Sequence, residues 1–186
     1  MVQPSYVHGT SAQPLIGLMI GKYFDAMCDR HADREAVVVR HQRMRLTYRQ
    51  LRREVDDLAC GFMGLGPEPG DRVGIWSQNN VEWVLTQFAA AKAGLILVNI
   101  NPAYRRAELE YALRKVGCRV LVLAPSFKSS RYPEILQDLA PELAASPAGQ
   151  ARCTRLPSLQ WVIRLGDEAT PGMIGLSDLR RPAEPD

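Results

Sequence analysis

The sequence predicts an α/β fold: a βαβ-type parallel sheet with flanking helices. Three short apolar runs, residues 72–76, 95–100 and 119–123, have the length and β-branched content of buried strands. Two stretches of helical period separate them, and strands alternating with helices in this way give a parallel βαβαβ unit. Both helical stretches are followed by a glycine where a left-handed C-cap is wanted, Gly94 and Gly117.

The first of those helices carries Val81, Val84, Leu85 and Phe88 on one face at i, i+3, i+4, i+7 spacing. Asn79 is the expected N-cap, with Glu82 as its capping-box partner. The second carries Leu109, Ala112, Leu113 and Val116, and Asn101-Pro102 turns the chain before it, because a residue preceding proline is pushed out of the α region.

Ahead of this unit, residues 1–13 are polar and irregular and read as a flexible N-terminus. Ile20, Tyr23, Phe24 and Met27 give the apolar stripe of a helix over about 19–30. Residues 35–40 and 44–48 read as a β-hairpin turning through His41-Gln42-Arg43. Thr47 then opens a long helix with Gln50 as capping-box partner and Leu51, Val55, Leu58 and Phe62 as its apolar face. A Gly/Pro-rich turn over 64–70 ends it.

Beyond Leu123 the expected order is helical segments over 126–143 interrupted by Pro133 and Pro141, a surface loop over 144–155, and a strand over 159–165. The stretch 166–186, rich in Pro and Gly, is expected to end without a closing element.

Composition excludes several function classes. At 186 residues the chain is long enough for one sizeable core. A net charge of +3 is too small to argue for nucleic acid or an anionic membrane as partner. Cys28, Cys60, Cys118 and Cys153 show no zinc or C-x-x-C spacing, and they read as reduced thiols of a cytoplasmic protein, Cys60 on the apolar side of its helix. No run reaches the length of a transmembrane helix. Pro14–Gly21 lacks the basic lead of a signal peptide.

Each chemical motif has a plainer explanation. The glycines of 61–66 end a helix rather than open one, so a C-cap outweighs a phosphate loop. Gly17–Lys22 is one residue short of a Walker A fragment and continues into Tyr23. Arg40, Arg43, Arg45, Arg49, Arg52 and Arg53 form a basic cluster, but Glu54, Asp56 and Asp57 follow at once, which is the pattern of a solvated face. His8, His31 and His41 stand alone, and the adjacent Asp167-Glu168 is weak evidence for a cation. Trp76, Trp83 and Phe88 sit at core positions of a strand and a helix. Spacing alone therefore yields no catalytic, cofactor-binding or metal residue.

Several segments taken together carry a resemblance. Leu46-Thr47-Tyr48-Arg49-Gln50-Leu51, Gly70-Asp71-Arg72-Val73-Gly74-Ile75 and Ala91-Lys92-Ala93-Gly94 are followed by Val98-Asn99-Ile100-Asn101-Pro102-Ala103-Tyr104 and Glu108-Leu109-Glu110-Tyr111. With Trp161 to Glu168 and Pro171-Gly172-Met173, they resemble the early region of AMP-forming acyl-CoA synthetases, nearest to fatty-acid and medium-chain acyl-CoA ligases. These belong to the adenylate-forming superfamily.

The resemblance implies that residues 14–180 are a partial AMP-binding domain, an incomplete N-terminal subdomain of the adenylate-forming fold, with 181–186 a truncated tail. It implies a reaction of ATP, fatty acid and CoA giving acyl-CoA, AMP and pyrophosphate, with magnesium stabilising the phosphates. The family's Ser/Thr/Gly-rich phosphate loop ending in Pro-Lys-Gly, its Tyr-Gly-x-Thr-Glu segment, its ribose-binding Asp and its C-terminal lysine are not found in the sequence. No cofactor is therefore expected on this chain alone. Two readings follow: the N-terminal part of a ligase from a truncated, split or frame-interrupted gene, inactive alone, or a non-catalytic module that docks on a complementary C-terminal chain. In the first, strands covered on both faces in a complete enzyme are expected to lack part of their covering layer. Arg105 stands where relatives often place a capping Thr or Ser, a loss of about 1 kcal/mol.

Overall fold

The computed structural model describes residue 9, residue 12 and residues 15–180. The flexible N-terminus expected over residues 1–13 lies almost wholly outside the described residues, and the truncated tail expected over 181–186 lies wholly outside them.

A central five-stranded sheet, all parallel, organises the chain. Its strands are β3 (Arg72–Trp76), β4 (Ile96–Ile100), β5 (Cys118–Leu123), β8 (Trp161–Arg164) and β9 (Ile174–Gly175), in the spatial order β4-β3-β5-β8-β9. Helix α3 (Val81–Lys92) joins β3 to β4, and α4 (Arg106–Val116) crosses back to β5, as expected for a βαβαβ unit. Val73, Ile75, Trp76, Val120, Leu121, Val122, Leu123, Val162 and Ile163 are fully buried. The inner strands are thus covered on both faces, contrary to the expected missing layer. Edge strand β4 is the exception, with Ile96 53% exposed.

Before the sheet come α1 (Ile20–Arg30), the hairpin β1 (Glu35–Val39) and β2 (Met44–Thr47), and the long α2 (Tyr48–Leu65). The hairpin turns through a short 3-10 segment, with Arg43 left-handed at φ 52°. The Thr47 capping box forms as expected: Gln50 N donates to Thr47 Oγ1, and Thr47 N donates to Gln50 Oε1. The α3 cap is one residue later than expected. Asn80 Oδ1 accepts from Trp83 N at 2.8 Å, while Glu82 is engaged by Gln42 Nε2 of the hairpin turn.

The Arg105 position makes no side-chain cap, but Glu108 Oε2 accepts its backbone N–H at 3.2 Å, which keeps half of a capping box. Arg72 serves the other end of α4: its guanidinium donates to the Val116, Gly117 and Gly70 carbonyls. The first two are orphan acceptors of the α4 C-terminus, where a cation is favoured, and the third lies in the turn before β3.

The region after β5 is more ordered than expected. A two-residue ribbon, β6 (Ser126–Phe127) with β7 (Ser130–Arg131), precedes α5 (Tyr132–Leu139), with Pro133 in its first turn. The loop over 144–155 hides Ala151 and Cys153. The stretch over 166–180 does supply a closing element: β9 pairs with β8, and α6 (Leu176–Leu179) packs on α2. Gly61 makes this packing possible, since a Cβ there would stand 2.3 Å from the Leu179 carbonyl oxygen.

Candidate functional site

In open parallel sheets ligands bind outside the carboxyl ends of the strands where the strand order reverses. Here that point lies between β3 and β5, because β4 and β5 flank β3 on opposite sides. The position is filled by protein. Trp76, the last residue of β3, stacks on Tyr132 of α5 with ring centroids 3.7 Å apart and planes 13° off parallel. Both rings are fully buried. Trp76 Nε1 donates to the Asn101 carbonyl at 3.2 Å, and Tyr132 Oη donates to the Pro102 carbonyl at 2.6 Å. Burial pushes the Tyr132 phenol up to about 12, so it stays a neutral donor. The two aromatics pin the Asn101-Pro102 turn across the mouth of the crevice.

Two of the amides opening α3 are also occupied. Val81 N donates to Gln42 Oε1 and Trp83 N to Asn80 Oδ1, while Asn80 Nδ2 donates to Ser77 Oγ. Side chains of the protein thus satisfy donors that an anion would need. At the end of β8, buried Arg164 donates to the Glu168 carbonyl at 2.6 Å and pairs with the Glu168 carboxylate. It holds the turn after the strand and takes up the carboxylate that the sequence offered as a cation ligand.

The remaining sequence candidates resolve in the same direction. Gly61 lies against α6, and Gly66 is the left-handed C-cap of α2 at φ 93°. Gly17 to Met19 lead directly into α1, with no strand before them among the described residues. Arg45 pairs with Glu35, Arg49 with Asp33, and Arg52 with Asp29, so much of the basic cluster is neutralised in place. His31 sits beside Tyr48 with ring centroids 5.9 Å apart, and His41 lies in the hairpin turn. Among the described residues no three or more of His, Cys, Asp and Glu come together as a metal site would need.

All four cysteines are free. Cys28, Cys118 and Cys153 are buried and Cys60 is half-buried. Burial pushes the Cys118 thiol up to about 12 and Cys28 to about 11, and it raises Cys153 as well. Thiols held protonated in this way are poor nucleophiles. Trp83 and Phe88 pack against the core as expected, Phe88 stacked on Phe24 at 4.3 Å.

One open groove of about 590 Å³ lies over 149–161 beside Trp161, and another of about 730 Å³ lies between residues 36–41 and Trp83. Neither brings together a nucleophile, a base and an oxyanion donor. Sequence reasoning missed the Trp76–Tyr132 pair and the Arg164 clamp. Trp76 ending an apolar strand was the available signal for the first, and a lone arginine after Trp161-Val162-Ile163 for the second.

The AMP-binding enzyme profile matches residues 24–171. The chain belongs to the AMP-binding enzyme family. It is 43% identical over 175 residues to the medium-chain acyl-CoA ligase ACSF2, mitochondrial, of Mus musculus, an alignment covering 94% of this chain and 28% of that protein. The Bos taurus protein of the same name is 44% identical over the same span. The chain thus spans under a third of the length of the curated relatives it matches, in their N-terminal part. Among solved structures, the anthranilate CoA ligase AuaEII in complex with anthranoyl-AMP superposes with a TM-score of 0.68 at 24% identity, over 86% of this chain and 27% of that one. The five-stranded parallel sheet with its helices therefore shares its fold with the matching part of that ligase. Among the described residues no helix is long and apolar enough to cross a membrane.

Proposed function

We propose that this chain is the N-terminal portion of a fatty acid–CoA ligase and is catalytically inactive alone. The complete enzyme would join ATP, a fatty acid and CoA into acyl-CoA, AMP and pyrophosphate. The observation that carries the reading is the 43% identity to a medium-chain acyl-CoA ligase along 94% of the chain, where chance similarity would not extend. The closed switch point agrees with it: Trp76 and Tyr132 occupy the place where a nucleotide would otherwise sit.

On this reading residues 14–180 form a partial AMP-binding domain with a scaffolding role. ATP, magnesium and CoA are held by segments outside it, and the protein works in the reducing cytoplasm, where its free thiols persist. The test is pyrophosphate exchange by the purified chain with ATP, magnesium and a medium-chain fatty acid. Exchange at background level is expected, and adenylation by the chain alone would overturn the reading.

A second reading is a non-catalytic module that docks on a complementary chain carrying the missing phosphate loop. The exposed apolar run Leu15, Ile16, Leu18, Met19 and Ile20 favours it, as a surface that a partner would cover. Co-purification of such a chain from its own cells, with recovery of pyrophosphate exchange, is the result expected. Loss of the partner on Ile16→Asp and Ile20→Asp would tie it to this surface.

A further inference from the structure

Strand β4 is the unguarded edge of the sheet. It pairs with β3 in continuous register from Arg72 opposite Ile96 to Trp76 opposite Ile100, without a bulge. Ile96 N donates to the Asp71 carbonyl on the β3 side. Strand alternation then turns the N–H and C=O groups of Leu97 and Asn99 outward. Among the described residues no other backbone bonds to them. Natural edges are protected by charge, proline, bulges or shortness. The opposite edge, β9, is two residues long and runs straight into α6. The sequence Ile96-Leu97-Val98-Asn99-Ile100 has none of these protections.

We propose that β4 pairs antiparallel with β4 of a second copy of this chain, about a twofold axis at Val98. The strand is complementary to itself in that register. Leu97 lies opposite Asn99 of the second copy and exchanges two hydrogen bonds with it; the symmetric pair doubles these to four. Val98 faces Val98, and Ile96 faces Ile100, β-branched cross-strand pairs with no charge set against a like charge.

The competing in-phase registers are poorer because they reach groups already in use. Sliding one way would call on Leu95, whose N–H is donated to the Ala90 carbonyl. Sliding the other way would call on Asn101, whose carbonyl accepts from Tyr104 N and Trp76 Nε1. A shift by one residue would set inward-pointing groups against outward ones. A ladder this short buries less than the roughly 1,200 Å² of a stable interface, so the dimer forms reversibly with rising concentration. This pairing goes beyond the ligase reading and does not depend on it.

Sedimentation velocity over a wide concentration range should show a monomer–dimer equilibrium. Leu97→Pro and Asn99→Pro each remove one outward N–H while leaving the β3 ladder intact, so both should be monomeric throughout with a retained circular-dichroism melt. A second measurement holds even if a proline variant fails to fold. In a Cys60→Ser background, Val98→Cys should oxidise to a covalent dimer, because a non-hydrogen-bonded pair places the Cα atoms about 4.5 Å apart, within disulfide reach. Ile96→Cys should not link to itself. A wild type that stays monomeric, a dimer that survives both folded proline variants, or equal cross-linking at 96 and 98 would overturn the proposal.

Discussion

Trp76 and Tyr132 lie face to face at the carboxyl end of the sheet, and each donates its one polar hydrogen to the turn that follows β4, at Asn101 and Pro102. The pair joins β3, β4 and α5 in the place where a parallel sheet commonly opens to a ligand. Removing the ring of Trp76 should therefore cost stability rather than a binding function. Trp76→Ala is expected to lose about 3–5 kcal/mol. Tyr132→Phe keeps the stack and loses one hydrogen bond, for about 1 kcal/mol. Urea denaturation of the three proteins checks the order.

Alkaline pH should unfold the protein in a defined window. Cys28, Cys118 and Tyr132 have folded values near 11, 12 and 12 because burial disfavours their anions, against ordinary values of 9.0, 9.0 and 10.0. In each case the folded value is the higher, so the unfolded chain loses its protons first. The stability is fully present below about pH 9 and is lost as pH rises towards 12. Urea midpoints should be level from pH 7 to 8.5 and fall steadily above 9, and Cys118→Ala should flatten the slope.

Lys92 ties three helices together. Its ammonium binds Asp25 of α1 at 2.6 Å and Asp56 of α2, and Arg52 lies 3.6 and 3.7 Å from the same two carboxylates. Burial by itself would lower the Lys92 value, but the hydrogen bonds it donates to both aspartates, with their negative charge, outweigh it and leave the value raised. Lys92→Met leaves two neighbouring carboxylates to Arg52 alone, for an expected loss of about 1–3 kcal/mol at this partly exposed site. Asp56→Asn in the same chain should cost less than the sum of the two single changes, as a double-mutant cycle would show.

Asn80 and Asn79 offer a sharp contrast between adjacent positions. Asn80→Ala removes the acceptor for Trp83 N and should cost about 1 kcal/mol. Asn79→Ala, at an exposed position, should change stability by no more than about 0.5 kcal/mol. Thermal melts of the two variants decide it.

The difference between those asparagines shows where the sequence stopped being informative. Both are eligible caps, and Glu82 favoured the first by spacing. What decides is Gln42, forty residues earlier, which takes Val81 N with one side-chain atom and Glu82 with the other. Thr47 and Gln50 were readable because the whole capping box lies within four residues. The βαβαβ unit was readable for the same reason: periodicity and glycine stops are local. β9, at two residues, is too short to show a period, so the closing strand and α6 were missed. The candidate site was not legible in the sequence, because neither spacing nor the family resemblance pointed to any of its residues. Its plug is a contact between Trp76 and Tyr132, which lie in separate segments that no local pattern links.

Gly61 governs the last of these long-range contacts. Gly61→Ala would drive a methyl group into the Leu179 carbonyl and should cost about 1–3 kcal/mol, offset in part by better helix propensity. Trypsin cleavage at Arg180, held in the native chain by its pair with Glu54, should accelerate in that variant.

The same contact sets an order of events during synthesis. Helix α2 is complete once residue 65 has been made, yet the element that seals it at Gly61 is among the last described residues. A nascent chain must therefore carry an unsealed helix face until α6 emerges, and pairing over so long a loop is slow. The interval before α6 docks is when the growing polypeptide is most open to chaperones and to misassociation with its neighbours.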